Sequence, residues 1–332
     1  MSMEAENVVD IRDLHVQYRT YNGQVKVLNG VNLHVGKGEK VAIVGETGCG
    51  KTTTVKSLLR ILAKNASTPK GEVLFNGEDV LKMNASALKR LRGAGISMIF
   101  QDPTMSLNPV FTIGSQMQAV IQESGLPGAR QKDVQHQLAV QALNETSMPD
   151  PERILQSYPF QLSGGMRQRI SIAMSLSTPR DLVIADEPTT NLDVTIQDQV
   201  LRILKERVES KGSSLVLITH SLGVARETSD RIYVMYAGNV VETAPTAALF
   251  EQQLHPYTRA LMDCIPRLSG GGVAEGIPGR IPNYLDPPKG CRFAPRCPNA
   301  SARCNEQKPE YVDMGSGHQV ACFLYEKEEV QQ

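Results

Sequence analysis

The sequence predicts an α/β fold built around a parallel β-sheet, and three observations support this prediction. Short, continuous apolar runs are typical of buried parallel strands, and they occur at 40–45 (KVAIVG), 96–101 (ISMIFQ), 181–186 (DLVIAD) and 214–220 (SLVLITH). Residues 7–80 alternate β-like runs with turn signals such as Asn76-Gly77, which predicts an antiparallel β region, and 231–243 predicts a hairpin. The polar, helix-patterned stretch 102–165 predicts a helical insertion between two strands.

Length and charge limit the class of protein. With 332 residues, the chain is expected to form one large domain with an appendage, here a domain at 5–262 and a Pro/Gly-rich extension at 263–332. Lys+Arg and Asp+Glu both number 35, so no overall basic charge points to nucleic acid. The first residues lack a signal-peptide pattern and no stretch approaches about 20 apolar residues. A cytoplasmic, soluble protein is therefore expected.

A glycine-rich motif directly follows the first buried run. GETGCGKT (45–52) lies between a predicted strand and a predicted helix, where glycines let backbone N–H groups converge on phosphate oxygens. Lys51 is expected to reach the β- and γ-phosphates, and Thr52 to bind Mg²⁺. A turn without a ligand is the alternative, disfavoured by the flanks, and Cys49 is expected to fill space. The candidate nucleotide-binding residues are Gly45, Glu46, Thr47, Gly48, Cys49, Gly50, Lys51, Thr52 and Thr53.

Two adjacent carboxylates end the run DLVIAD. Alternation along a strand points Asp186 and Glu187 in different directions. Asp186 can then bind Mg²⁺ through water, while Glu187 can act as the general base on a water that faces the γ-phosphate. The alternative is an acidic strand end without a function. This alternative is disfavoured because the same sequence contains the phosphate-loop motif at 45–52.

The motif QLSGGMRQR (161–169) narrows the class. Ser163 is a good N-cap, and Gly164 and Gly165 leave N–H groups open at a helix start. A structural helix capped by serine is the alternative. With the loop and the carboxylates, this motif resembles the signature of ATP-binding-cassette (ABC) ATPases. The resemblance implies a P-loop NTPase ABC cassette with an antiparallel β subdomain and a helical subdomain at about 102–178. It also implies that Ser163, Gly164, Gly165 and Gln168 bind ATP that is held by the phosphate loop of a partner cassette.

The same resemblance covers further candidates. It implies that Gln101 senses Mg²⁺ and the attacking water, that His220 contacts the γ-phosphate, and that Asp193 belongs to a loop between two cassettes. It implies an aromatic stack on adenine from Tyr18, with Tyr21 as a rival. The resulting catalytic candidates are Glu187, His220, Gln101 and Lys51, and the Mg²⁺ candidates are Thr52, Gln101 and Asp186.

Segments outside these motifs resemble one branch of the family. DPTMSLNPVFTIGSQM (102–117), HPYTRAL (255–261) and GCRFAPRCP (290–298) resemble oligopeptide/dipeptide importer ATPases. This implies a second, related ATPase subunit, two transmembrane permeases, an extracytoplasmic binding protein, no nucleic acid, and a place on the cytoplasmic face of the membrane. Met105, Leu107 and Phe111 are candidates for permease contact or for the core. A nickel or oligosaccharide importer, a non-transport ATPase acting on nucleic acid and a redox sensor are the alternatives.

Four cysteines concentrate near the end of the chain, at 291, 297, 304 and 322. Tight C-x2-C pairs are absent, so the residues leave Zn²⁺, an iron–sulfur cluster and free or disulfide-bonded cysteines open. The family resemblance implies a [4Fe–4S] cluster on Cys291, Cys297, Cys304 and Cys322. His318 is expected on the surface, or as a replacement ligand for zinc.

Overall fold

Strands form where the sequence places its apolar runs. The computed structural model describes residues 7–190, 194–265 and 276–326. Within these residues the strands are β1 (Asn7–Thr20), β2 (Gly23–Gly36), β3 (Lys40–Val44), β4 (Ala66–Phe75), β5 (Glu78–Asp79), β6 (Ile96–Ile99), β7 (Leu182–Asp186), β8 (Ser214–Thr219), β9 (Arg231–Tyr236), β10 (Asn239–Pro245), β11 (Val312–Asp313) and β12 (Gln319–Val320).

Helices lie between several of these strands. They are α1 (Lys51–Leu58), α2 (Ala85–Arg90), α3 (Pro103–Ser106), α4 (Ile113–Gln122), α5 (Lys132–Glu145), α6 (Pro151–Gln156), α7 (Gly164–Leu176), α8 (Val194–Lys211), α9 (Leu222–Thr228), α10 (Thr246–Glu251), α11 (Pro256–Asp263) and α12 (Ala302–Glu306). Across the described ranges, none of them combines the length and the apolar character that crossing a membrane requires.

By contacts the chain divides into two compact units. The first unit consists of the residues up to Val8, Val35–Lys40 and Phe75–Ile218, and the second of Val9–His34, Val41–Leu74 and the residues from Thr219 onward.

The first unit contains three of the four predicted parallel strands, β6, β7 and β8. β7 pairs in parallel with β6, and also with β8, placing Leu182 opposite both Ile96 and Ser214. All five residues of β7 are buried, which explains its continuous apolar sequence.

The predicted helical insertion is also confirmed in the first unit. Helices α3 to α7 occupy residues 103–176. Four of them begin at a residue whose side chain accepts a backbone N–H, the N-cap arrangement that stabilises a helix start: Asp102, Thr112, Asp150 and Ser163. The apolar faces of α4 to α7 share a core that includes Ile113, Met117, Leu143, Ile154 and Ile170.

The second unit joins two sheet regions. β1 lies between β2 and β4 in one sheet, in the region where the sequence predicts antiparallel strands. In the other, β3 pairs in parallel with β9, and β9 and β10 form the predicted hairpin. Ala237 and Gly238 turn this hairpin with positive φ angles of 44° and 81°, as a tight turn of this kind requires.

The end of the chain takes part in the second unit. β12 pairs antiparallel with β10, and β11 with β12, so short strands from the Cys-rich segment extend the sheet. Phe293 packs against Tyr236 and Tyr257, with ring centroids 5.0 and 5.4 Å apart. The domain boundary between residues 262 and 263 stays a prediction, but residues on both of its sides share one hydrophobic core.

A buried carboxylate attaches β12 to β10. Glu242 is fully buried and accepts hydrogen bonds from the backbone N–H groups of Leu254 and His255 and from His318 Nε2, each at 2.8 Å. Burial would raise the pKa of Glu242, but the bond from His318 and the further hydrogen bonds outweigh it, so the pKa lies below its ordinary value. The expectation that His318 lies on the surface or in a zinc site is wrong, because this pair buries it.

Replacing this carboxylate tests its contribution to stability. We expect Glu242→Gln to lower the free energy of unfolding by roughly 2–4 kcal/mol, because the amide leaves buried N–H groups without a charged acceptor. Glu251→Gln, on an exposed residue of α10, is the matched control and is expected to change stability by less than about 0.5 kcal/mol. Denaturant unfolding measures both, and equal effects would contradict the assigned role.

Candidate functional site

The glycine-rich loop has the backbone shape that phosphate binding needs. Gly45, Gly48 and Gly50 all have positive φ, at 149°, 82° and 108°, and α1 begins at the next residue, Lys51. A Cβ on Gly45 would lie 2.1 Å from the Met235 carbonyl oxygen, so no larger residue fits there. The loop therefore depends on glycine for conformation and for close packing on β9.

Lys51 holds its ammonium group inside the loop. Its Nζ donates to the carbonyl oxygens of Gly45 (2.8 Å) and Glu46 (3.2 Å), and the residue is buried. Thr52 and Thr53 lie half-buried in the first turn of α1.

The rest of the loop divides into exposed residues and one buried thiol. Thr47 and Gly48 are exposed, and Glu46 is half-buried. Burial raises the pKa of Cys49, which keeps its thiol protonated and agrees with a space-filling role.

Three residues that the sequence analysis did not single out contact this loop. Arg296 forms an ion pair with Glu46, at 3.0 Å. The Tyr284 hydroxyl donates to the Gly48 carbonyl at 2.8 Å, and the Tyr257 hydroxyl accepts the Glu46 N–H at 3.0 Å. Arg296 lies within GCRFAPRCP and Tyr257 within HPYTRAL. No local sequence pattern indicates that either residue contacts a loop so far away in the chain.

In the first unit, two predicted catalytic residues meet. Gln101 Nε2 donates to Glu187 Oε2 at 2.9 Å, and the Thr190 hydroxyl donates to the same oxygen at 3.1 Å. Glu187 adopts a positive φ of 47°, an uncommon conformation for a residue with a side chain. Its N–H donates to the Ile218 carbonyl at 2.9 Å, which anchors this turn to β8. The buried Asp186 precedes it as the last residue of β7.

The glycine pair of QLSGGMRQR opens a helix as expected. Ser163 caps α7 by accepting the Met166 N–H at 3.3 Å, and Ser163 and Gly164 are exposed, with Gly165 half-buried. Gln168, by contrast, is buried, and among the described side chains its Nε2 has no hydrogen-bond partner. Its predicted contact with a nucleotide stays a prediction that requires this side chain to become accessible.

Three of the remaining nucleotide candidates, His220, Tyr18 and Tyr21, lie at or near strand ends. His220 is exposed directly after β8, and Ser221 caps the following α9. Tyr18 is half-buried in β1, while Tyr21 is fully exposed in the turn after it. Asp193 lies outside the described residues.

The four clustered cysteines line one cavity of about 120 Å³. All four are free thiols, which does not match the disulfide alternative. Within the described ranges no group of three or more His, Cys, Asp or Glu side chains is arranged to hold a single metal ion. Burial raises the pKa of Cys291 to about 11, and burial also raises the pKa of Cys297 and Cys322.

Together, the fold, the glycine loop, the capped signature helix and the strand-end carboxylates define an ATP-binding-cassette ATPase. The family model described as ABC transporter matches residues 28–190, and the one described as oligopeptide/dipeptide transporter, C-terminal region, matches residues 241–304. A solved bacterial ABC transporter cassette, described as dimeric, is 26% identical with a TM-score of 0.65, covering 72% of this chain and 98% of that one.

Similarity extends over nearly the whole chain. A probable peptide ABC transporter ATP-binding protein of Sinorhizobium fredii is 43% identical over 323 residues, 96% of both chains. A dipeptide transport ATP-binding protein of Bacillus subtilis is 42% identical over 97% of this chain and 96% of its own length. The chain belongs to the family of ABC transporter ATP-binding proteins that carry the oligopeptide/dipeptide transporter C-terminal region. It is an ABC ATPase, which implies the use of ATP and Mg²⁺.

The role of Glu187 can be tested by hydrolysis. We expect Glu187→Gln to reduce ATP hydrolysis by the transporter assembled with its partner subunits by roughly 100-fold or more, because a general base is lost, while ATP binding persists. Glu152→Gln, on the exposed face of α6, is the control and should hydrolyse ATP at the wild-type rate. Full activity of the Glu187 variant would show that the base lies elsewhere.

Proposed function

We propose that the chain is the ATP-hydrolysing subunit of an importer that takes up di- or oligopeptides through partner permeases. The observation that carries this proposal is the similarity to peptide and dipeptide transport ATP-binding proteins along the full chain, including the C-terminal region at 241–304. A cassette that shared only its nucleotide-binding core with these relatives would support transport but not a peptide substrate.

The proposed cycle assigns a task to each group of candidates. The loop residues, with Thr52, Asp186 and Gln101 around Mg²⁺, hold ATP, and an aromatic ring of Tyr18 stacks on adenine. Ser163, Gly164 and Gly165 of one cassette close on ATP in its partner, using the open N–H groups at the start of α7. Glu187 then takes a proton from the attacking water, oriented by Gln101, while His220 contacts the γ-phosphate. Hydrolysis reopens the pair and resets the permeases.

Exposed apolar side chains in the first unit support docking to a permease. Met105 is 83% exposed and Phe160 71%, and Val110 and Phe111 are also exposed. The segments that carry these residues adjoin, because the Ile113 N–H donates to the Ser157 carbonyl at 2.9 Å. An apolar patch of this kind is typical of a protein contact.

The sequence left two roles open for Leu107, permease contact and core, and the fold supports the core. Leu107 is buried in the core shared by α4 to α7. The proposed contact residues are therefore Met105 and Phe111, together with Val110 and Phe160.

The proposed assembly is the one that the family resemblance implies. It contains this chain, a second and related ATPase subunit, two transmembrane permeases and an extracytoplasmic binding protein, and places the ATPase on the cytoplasmic face of the membrane. Nucleic acid is no part of it, in keeping with the zero net charge.

Uptake by whole cells tests the substrate class. In the source organism, a strain that lacks this chain should lose uptake of labelled di- or oligopeptides, and the wild-type gene should restore it while the Glu187→Gln gene should not. Normal peptide uptake with loss of nickel or oligosaccharide uptake would contradict a peptide substrate and favour those alternatives.

The cysteine cavity supports the finer proposal of a [4Fe–4S] cluster. A tetrahedral zinc site would bring four thiolates to about 2.3 Å from one point. A [4Fe–4S] cluster instead bonds each thiolate to a different iron, which suits thiols spread around one cavity. Cys291, Cys297, Cys304 and Cys322 would hold it, and it would brace a segment with little regular structure.

Metal analysis distinguishes these possibilities. The full chain purified without oxygen should contain iron and acid-labile sulfide in equal amounts, and Cys297→Ser should lose most of both. Cys264→Ser, which replaces a half-buried thiol outside the cavity, should retain them. Stoichiometric zinc without sulfide would favour the zinc alternative, and the absence of both would contradict a metal site.

A further inference from the structure

We propose that Arg296 is a positioning residue for the phosphate loop, which neutralises and orients Glu46 and thereby sets the affinity of the loop for ATP. The inference rests on the proposed assignment of residues 45–53 as the ATP-binding loop. It adds to that assignment a residue from the Cys-rich segment, 250 positions further along the chain.

All three nitrogen atoms of the Arg296 guanidinium group donate hydrogen bonds. Its Nη1 donates to both carboxylate oxygens of Glu46, at 3.0 and 3.1 Å, and to the Tyr236 hydroxyl at 3.2 Å. Nε donates to the Pro278 carbonyl at 2.7 Å, and Nη2 to the Ile277 carbonyl at 2.9 Å. Since its side chain is only 4% exposed, this cation is part of a built contact and not a surface ion pair.

Glu46 is also held through its backbone. Its N–H donates to the Tyr257 hydroxyl at 3.0 Å, and its carbonyl oxygen accepts the N–H of Cys49 at 3.2 Å and Nζ of Lys51 at 3.2 Å. The residue that pairs with Arg296 is thus bonded to the lysine expected to reach the phosphates. A displaced Glu46 would shift the hydrogen bonds that place Lys51.

Charge gives the contact a direct effect on nucleotide binding. The loop is proposed to bind a polyphosphate anion, yet Glu46 is an acid within it. The Glu46 side chain is only 28% exposed, and an unpaired carboxylate that is partly buried repels an anion more strongly than it would in water. Arg296 offsets that charge, so its loss should weaken ATP binding even where the loop keeps its shape.

The equilibrium dissociation constant for ATP, measured with the full chain, tests this role. We expect Arg296→Gln to weaken ATP binding on the order of tenfold, within the usual range of coupling between neighbouring groups. Introduced into the Arg296→Gln background, Glu46→Gln should restore most of the affinity, because the repelling charge is gone. The loss in Arg296→Gln should also shrink at high salt, which screens charges.

Controls separate charge from folding. Arg303→Gln, whose parent side chain pairs with Glu326 elsewhere in the same segment, should bind ATP as the wild type does. Circular dichroism and thermal unfolding report whether each variant folds. Wild-type affinity in folded Arg296→Gln, or a loss that Glu46→Gln does not relieve, would overturn the proposal. If Lys51→Ala also binds ATP like the wild type, the loop assignment fails instead.

Discussion

The phosphate loop keeps its shape because polypeptide backbone packs directly on backbone beneath it. At Gly45 an added Cβ would lie 2.1 Å from the Met235 carbonyl oxygen, and at Gly238 one would lie 1.8 Å from that of Val27. The Gly238 N–H donates to the Cys49 carbonyl at 2.7 Å, joining the β9–β10 turn to the loop. The turn therefore supports the loop. Contacts that fix the position of the turn also help to fix the loop residues that are expected to bind phosphate.

The C-terminal segment supplies part of that support. Arg292 donates to the Ala237 carbonyl at 2.6 Å and to the Lys26 carbonyl at 3.1 Å, on the side of the turn that faces β2. Burial lowers the pKa of Arg292 to about 10, which still leaves it charged at neutral pH. The pair of Glu242 and His318 attaches the same segment to β10. A stretch with little regular structure thus becomes part of the second unit through buried polar bonds.

Local patterns explain why much of this molecule could be predicted from sequence. Buried strands, the hairpin, the helical insertion and the Ser163 cap all depend on residues close together in the chain. The ion pair of Arg296 with Glu46 and the burial of His318 depend on pairings across most of the chain, which leave no local signal. The different exposures of Met105 and Leu107 are equally invisible, because both are apolar and only the packing of α3 to α7 separates them.

The two arginines that hold the loop and its turn each adjoin a cysteine of the cavity. Arg292 follows Cys291, and Arg296 precedes Cys297. Phe293 and the 3₁₀ turn Ala294–Arg296 complete the stretch between the two cysteines. Phe293 packs against the rings of Tyr236 and Tyr257, which anchors this short stretch in the core of the second unit. The stretch that carries Cys291 and Cys297 therefore also carries the arginines bonded to Glu46 and to the hairpin turn. The C-terminal segment lies outside the nucleotide motifs in sequence, but its side chains contact the phosphate loop and the turn that supports the loop.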